Sequence, residues 1–595
     1  MATYTAHELL SDKLGDAKVA LNEGIARHHS SGPIDMAVLR ARIDAMLSNP
    51  IIESADMYKT SHPDMYPDKM TQLQAYGEAR IGSKLDNIVA FGFQILVNDL
   101  CGMRITQRHI EEAAIFFEHT FGTNNVFARV RPGWQSVVDA GGALPVRICA
   151  LPEGTVVPPG TPLFTIESTD AAVPWMANFL ETRLSHLWYT VTVASVSFKL
   201  HQDLATRCIK EGMSPEDSHS FASILGVCDF GLRGVECIEA GARGGMAALL
   251  SSKASDNTAG MYAVTRHYGD AIDADVMFKQ IGSSIPAAEH STITAHGKAN
   301  EKEAYLQILN NFPTGPVSIV LDSYDYRAAV GLFCGELKDK VCERYDNALL
   351  INADQPHTVV IRPDSGDMKE NVIWTLTELY KAYGGEEKDG YKVLHPSIRI
   401  IQGDGIDLET YPDLLDAIQA AGFSVTNVVA GSGGGLLQKI NRDTIRFAIK
   451  ANNAIVDGEE RGVQKETAGK TSKRGRLTVE LEDDEYKTYQ CGQGRSSRDI
   501  LGEQIFLDGA SSRTERFSEI RERVSQAHLK LLKQRMRSML MSPSASAPAL
   551  STDEALDVGK TEETVPVEET DPTAKRLKID EAAKDDAKDT ATTGA

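Results

Sequence analysis

An α/β fold is what the sequence predicts: an irregular (β/α) barrel-like core, with an additional mixed α+β domain and an N-terminal helical extension ahead of it and a disordered C-terminal tail behind. Three observations carry this. Four short apolar runs, VSIVLDSYD (317–325), HTVVIRPDSGD (357–367), IRIIQGDGID (398–407) and VTNVVAGSGGG (425–435), each end in Gly or Asp. Segments of helical period fill the gaps, for example Lys369 to Tyr383 and Leu408 to Ala421. Within each run the apolar residues do not alternate, as expected of strands buried on both faces. Strand-then-helix repeats imply a parallel sheet with right-handed crossovers. An open doubly wound sheet obeys a similar rule. The barrel is preferred, with its polar cluster at the C-terminal end of every strand, where such barrels carry their sites.

Taken in order, residues 1–47 read as two helical pieces broken at Ser30-Ser31-Gly32-Pro33, the second running from Ile34 to Leu47 and stopped by Asn49-Pro50. Residues 48–200 are mixed: Leu144 to Glu167 alternates β-branched residues with Pro-Gly turns, a small antiparallel β unit, and Trp175 to Trp188 reads as a buried helix. Residues 201–535 form the barrel-like core and end in an amphipathic helix, Ser518 to Leu540. From 536 to 595 the chain becomes Ala, Ser, Thr, Pro, Lys, Asp and Glu with almost no aromatics, the composition of a disordered tail. The 595 residues are 42% apolar and 24% charged, so most of the chain can bury a core. No apolar run approaches the roughly 18 to 20 residues a bilayer span needs, and no secretory signal opens the chain, so a cytoplasmic protein is expected. A net charge of −21 disfavours a nucleic-acid surface. Eight scattered cysteines make no C-x-x-C pair and no zinc spacing, and read as reduced thiols.

The chemistry collects at the strand ends. Gly431-Ser432-Gly433-Gly434-Gly435 follows a strand and precedes a helix expected near Leu436, so its backbone N–H groups can converge on an anion; a merely flexible loop is the other reading. Arg362-Pro363-Asp364-Ser365-Gly366 offers a cation, a carboxylate and a tight turn. Gly403-Asp404-Gly405 brings backbone and carboxylate to a ligand, and Asp322 ends the first run. Singly, each Asp serves as readily as a helix N-cap; three at successive strand ends beside an Arg ask for more. Carboxylates next to a phosphate site repel the ligand unless they bind sugar hydroxyls or Mg²⁺. A phosphorylated ribose with Mg²⁺ meets both demands. In Ala287-Ala288-Glu289-His290-Ser291-Thr292 a histidine stands beside an acid and two hydroxyls, a setting for acid–base work or for a structural ring.

Six segments in register, Asp56-Met57-Tyr58-Lys59, Asp229-Phe230-Gly231-Leu232-Arg233-Gly234, PAAEHSTI (286–293), IRPDSG (361–366), IQGDG (401–405) and GSGGGLLQK (431–439), resemble the nicotinamide phosphoribosyltransferases, from about residue 50 to 530. The resemblance implies transfer of ribosyl phosphate from phosphoribosyl pyrophosphate to the ring nitrogen of nicotinamide, in NAD salvage, by a homodimer with sites at its interface. By the same resemblance Phe230 stacks on one pyridine face and Tyr58 of the partner subunit on the other. Asp256 accepts the carboxamide N–H and, as a buried acid, rejects the carboxylate of nicotinate. Arg233, Arg362 and Arg80 hold phosphate groups, as do Arg442, Lys450, Gly433 and Gly434. Asp364 and Asp404, with Gly403, serve the ribose hydroxyls or Mg²⁺. ATP phosphorylates His290, whose ring Glu289 and Asp322 orient.

Leu232 stands where that family often has an aromatic residue, Ala448 replaces an expected hydroxyl, and residues 211–226 are a longer insert. Two other functions compete: a nicotinate phosphoribosyltransferase, and a non-catalytic nuclear binding module on the same fold. The second draws on Pro572 to Asp580 (PTAKRLKID), which has the form of a short nuclear localisation signal for an import receptor, or is an incidental charge cluster.

Overall fold

The computed structural model describes residues 51–541, except 53, 102, 125, 270–280, 353–356 and 467–471. The expected N-terminal helices, the tail from 542 onward and the 572–580 signal lie outside the described residues; residues 536–541, expected to begin the tail, instead continue the helix Phe517–Met541.

The apolar runs become parallel strands. Val317–Val320, Val359–Arg362, Ile398–Gln402, Val428–Ser432 and the earlier Val227–Asp229 form one sheet with Val227–Asp229 and Val317–Val320 at its edges. Their inward and outward residues are almost all buried, which is why the runs do not alternate. Two short segments join the edges. Ser255 bridges Asp229, Ala254 bridges Ser283, and Ala287 bridges Ser318, all in parallel. The hydrogen bonds are ordinary: the Ser255 N–H donates to the Ser283 carbonyl at 3.0 Å and the Ala288 N–H to the Ser318 carbonyl at 2.8 Å. Five strands and two pinched staves therefore make a closed ring, the expected irregular barrel. Helices Met368–Tyr383 and Thr410–Ala420 lie within a residue or two of their expected spans.

Before and after the barrel the chain builds an antiparallel sheet. Its order is Glu459–Gly462, Phe447–Val456, Met70–Ala79, Pro162–Ser168, Val146–Ala150, Gln504–Leu507, Ala510–Ser511. The β unit read in 144–167 is thus the middle of a seven-stranded sheet, which takes strands from either side of residue 200. Its partners, Met70–Ala79 on one side and Gln504–Leu507 on the other, lie beyond the reach of any local pattern.

The segment expected as one helix from Trp175 to Trp188 is three: Met176–Phe179, Glu181–Ser185, and a long Leu187–Lys210. The last is buried nearly all round, yet rich in Ser and Thr, which blurs its periodicity. Several of those hydroxyls are satisfied within the helix: Thr192 donates to the Trp188 carbonyl at 2.5 Å, Ser195 to Val191 at 2.6 Å and Thr206 to Gln202 at 2.6 Å, while Ser197 reaches out to the Ala248 carbonyl at 2.9 Å. The insert at 211–226 is mainly a helix, Pro215–Leu225, opened by Ser214 as N-cap. It packs on Leu187–Lys210 and on the amphipathic C-terminal helix Phe517–Met541. A cavity of about 680 Å³ lies beside these helices, lined in part by His219, Ser251, Lys253 and Ser525, and none of the expected site residues borders it. Among the described residues no helix is long and apolar enough to cross a membrane.

Candidate active site

Phe230 follows strand Val227–Asp229, and its N–H donates to the Ser432 carbonyl of the adjacent strand at 3.0 Å. Its ring covers Gly431, where a Cβ would come within 2.1 Å of the ring. The need for glycine there is a close aromatic approach, not a phosphate cradle. Beside it, a Cβ on Gly403 would lie 3.4 Å from the Phe230 ring, 3.7 Å from Arg362 Cδ and 3.7 Å from Asp364 Oδ1. Ring, arginine and carboxylate therefore meet at one place. The Arg362 Nη2 stands 3.6 Å from Asp364 Oδ2. Its Nε is buried with no hydrogen-bond partner among the described residues, a donor that a bound anion could satisfy.

His290 opens the short helix His290–Thr294, and its Nε2 lies 2.9 Å from Asp322 Oδ1. An ionised carboxylate only accepts, so Nε2 carries the hydrogen and Nδ1 keeps its lone pair. The imidazole is 48% exposed and the Asp322 side chain 7%. One ligand atom each from His290, Asp322 and Asp364 fall within 4.8 Å of one another. Two carboxylates with room for phosphate oxygens suit Mg²⁺, which takes oxygen ligands and keeps substrate phosphates among them. Glu289 does not orient the ring as expected: its carboxylate accepts the Ser291 hydroxyl instead, a neighbour within its own first turn.

At the same mouth, Gly433 and Gly434 end strand Val428–Ser432 and start a helix of only four residues, Gly434–Leu437. The Leu232–Gly234 turn faces them, since a Cβ on Gly234 would lie 3.5 Å from the Gly434 nitrogen. That turn carries Arg233, which is exposed. Asp404 is exposed too, its carbonyl accepting Gln402 Nε2 at 2.8 Å, and Gly405 makes the turn at φ +75°. The Gly403–Asp404 turn with Arg362, and the Gly433–Gly434 turn, thus lie on either side of Phe230 at one end of the barrel. Asp256 corrects an expectation: it is exposed, not buried, and accepts the Ser284 hydroxyl. Its stave ends at Ser255 and leaves the side chain at the rim. The buried acid is its neighbour across the stave, Asp229, raised above the usual carboxylate range by burial against the hydrogen bonds from Gly231 and Asn257. Sequence reasoning gave Asp229 and Asn257 no role, although Asp229 opens the segment Asp229–Gly234 and Asn257 follows Asp256 directly.

Tyr58, Arg80, Arg442 and Lys450 form a second group on the antiparallel sheet. Tyr58 is 58% exposed, on a turn anchored by the buried ion pair of Lys59 with Glu181. Arg80 ends strand Met70–Ala79 and donates to the Arg446 carbonyl at 3.2 Å; Lys450 pairs across the sheet with Tyr76. The Lys450 ammonium is pushed down by burial, with Arg80, Arg442 and Lys59 adding to it against Glu181. Crowded cations of this kind favour an anionic ligand. Ala448 faces Glu78 in the same register, and Leu232 packs against Gly241. Among the described residues no hydrogen bond, ion pair or ring contact joins these four residues to the barrel mouth.

A closed parallel barrel whose strand ends gather glycines, an unpartnered arginine donor and paired acids defines a phosphate-handling enzyme. Comparison with known proteins agrees. Residues 225–499 match the nicotinate phosphoribosyltransferase (NAPRTase) family and residues 50–148 the nicotinamide phosphoribosyltransferase N-terminal domain. The chain is 38% identical over 438 residues to a nicotinamide phosphoribosyltransferase of Xanthomonas campestris, covering 72% of this chain and 87% of that one. It is 27% identical over 524 residues to one of Acinetobacter baylyi, covering 80% and 97%. Among solved structures it is similar to nicotinate-nucleotide pyrophosphorylase from Pyrococcus furiosus, at 15% identity and a TM-score of 0.48 over 82% of this chain and 96% of that one. The chain belongs to the nicotinate/nicotinamide phosphoribosyltransferase family and is a pentosyltransferase of pyridine-nucleotide salvage.

Proposed function

We propose that the protein transfers ribosyl phosphate from phosphoribosyl pyrophosphate to nicotinamide, giving nicotinamide mononucleotide and pyrophosphate. The observation that carries this is the meeting of the Phe230 ring, Arg362 and Asp364 beside Gly403: a flat apolar surface for a neutral ring lies against a cation and an acid for a charged sugar. The nicotinamide ring nitrogen attacks C1′, a C–N bond forms, and the C1′–O bond to pyrophosphate breaks with its electron pair going to the leaving group. Arg362 and Arg233 stabilise that charge by donated hydrogen bonds. Asp364 and Asp404 accept from the ribose hydroxyls, and the Gly433–Gly434 turn receives the 5′-phosphate. Asp256 at the rim accepts the carboxamide N–H. Mg²⁺, held by Asp322 and Asp364 with phosphate oxygens, would supply charge neutralisation for the leaving group.

ATP is a third substrate in this reading. With Nε2–H held by Asp322, His290 Nδ1 attacks the γ-phosphorus, ADP departs, and water later cleaves the P–N bond. The second group, Tyr58, Arg80, Arg442 and Lys450, belongs to the neighbouring site of a homodimer. Exposed apolar side chains near it, Met65 at 73% and Ile81 at 80%, suit burial against a second copy.

Turnover of nicotinamide and nicotinate with phosphoribosyl pyrophosphate, ATP and Mg²⁺ tests the proposal. Nicotinamide is expected to be favoured by about 100-fold in kcat/KM, a difference on the order of 3 kcal/mol, and Asp256→Asn to narrow the gap. Equal turnover of both bases defeats the amide reading, and no pyrophosphate release with either leaves only a binding role.

A further inference from the structure

Phe230 and Asp256, the residues that the proposed function gives to the pyridine base, leave the barrel on neighbouring staves, and the residues beside them are locked together. Asp229 is 1% exposed and Asn257 wholly buried. Asp229 Oδ1 accepts the Gly231 N–H at 2.8 Å and Oδ2 accepts Asn257 Nδ2–H at 2.9 Å. The other Nδ2 hydrogen of Asn257 goes to the Gly241 carbonyl at 2.9 Å, and its Oδ1 accepts the Gly260 N–H at 2.9 Å. Both amide hydrogens and the amide oxygen of Asn257 are therefore engaged. The Asp256 N–H donates to the Asp229 carbonyl at 3.0 Å. No cation pairs with Asp229 among the described residues, so N–H donors alone hold its carboxylate.

The arrangement fits only because two helices meet at glycines. Ile238–Ala248 supplies Gly245 and Thr258–Tyr268 supplies Gly260, and a Cβ on Gly260 would lie 2.7 Å from Gly245 Cα. A Cβ on Gly245 would lie 2.5 Å from Asn257 Nδ2. Each residue of the clasp is one position from a base-contacting residue: Asp229 from Phe230, Asn257 from Asp256.

We propose that Asp229 and Asn257 are positioning residues that fix the aromatic face and the amide acceptor relative to each other, and so govern capture of the pyridine base more than capture of the sugar pyrophosphate. The inference rests on the proposed function, and neither side chain touches substrate. An Asn at 229 would set an NH₂ against a donor that needs an acceptor, leaving a buried group unpaired.

Steady-state kinetics of the full chain, varying each substrate in turn, test it. Asp229→Asn is expected to raise the nicotinamide KM about 10-fold or more while the phosphoribosyl pyrophosphate KM moves roughly threefold or less. The reciprocal pair Asp229→Asn with Asn257→Asp restores an acceptor opposite the new NH₂ but sets a carboxylate oxygen against the Gly241 carbonyl, so the nicotinamide KM should return only in part. Equal changes in both KM values overturn the proposal. If Asp229→Asn does not fold, Asn257→Ser should show the same split, and its absence overturns it equally. Amide exchange at Gly231 without substrate separates this from the function itself. Protection lost at Gly231 in a folded Asp229→Ala variant, which has no acceptor there, supports the clasp even if the parent enzyme turns over neither base, and protection retained overturns it.

Discussion

Phe230 lies over a strand that has no side chain beneath it, because Gly431 yields its place to the ring. The consequence is a fixed aromatic surface at the barrel mouth, worth about 0.5–1.5 kcal/mol to a stacked ring beyond the area it buries. His290 is fixed in a different sense: Asp322 decides which nitrogen carries the hydrogen. His290→Ala should therefore abolish stimulation by ATP while leaving slow transfer, read as the ratio of product formed with and without ATP; an unchanged ratio would show that the imidazole takes no phosphoryl group. The residues at the strand ends were legible because each falls where an apolar run turns abruptly polar, as at Arg362, Asp364 and Asp404. Exposure was not legible. Asp256 and Asp229 both look like turn acids in the sequence, and only the pairing of their staves puts one at the rim and the other inside.

Helices Leu187–Lys210, Pro215–Leu225 and Phe517–Met541 bring three imidazoles together. His201 Nε2 lies 2.9 Å from His219 Nδ1, and the His528 ring stacks on Phe198 with centroids 3.9 Å apart. The His201 Nδ1–H donates to the Ser251 carbonyl at 3.0 Å, so its Nε2 accepts from His219, whose Nε2 in turn accepts from Ser525 at 2.6 Å. Burial disfavours the charged form of each ring. Burial, with His219 nearby, pushes His201 down to about 3; burial lowers His219 against Glu522; burial with His201 and His219 lowers His528 well below its ordinary value. The unfolded chain takes up protons at His201 and His528 near pH 6.5 and the folded chain does not, so stability falls as pH drops from about 6.5 toward 5, with a slope approaching about 1.4 kcal/mol per pH unit for each of these rings. His201→Gln should make the slope of Tm against pH shallower by about one proton over that window; an unaltered slope would mean that the ring is already charged in the folded state. The helices themselves were only partly readable. Met368–Tyr383 and Thr410–Ala420 have solvent-facing polar residues that show the period, whereas Leu187–Lys210 buries its Ser, Thr and His and hides it. The staves at 254–255 and 283–287 pair through single bridges, too briefly to leave any pattern.

At the scale of the molecule, the groups assigned to the proposed reaction stand in two places, a mouth built on the barrel and a set of cations beside the antiparallel sheet, near the turn that carries Tyr58. In a homodimer with crossed sites, Phe230→Ala and Tyr58→Ala would each cripple both sites, whereas a heterodimer of the two would keep one intact. Equimolar co-refolding should recover about a quarter of parental activity; a mixture as inactive as its components would place each complete site within one subunit. The barrel was legible from its repeats, because each βα unit is local. The seven-stranded sheet was not, because Met70–Ala79 finds one partner in Pro162–Ser168 and the other only in Phe447–Val456. That arrangement has a consequence during synthesis. One edge of Met70–Ala79 waits for a strand that the ribosome has not yet made, through roughly 20 to 70 s of translation at ordinary rates. An open edge of that duration invites pairing with the wrong chain, so crowding of nascent chains should lower the yield of this enzyme.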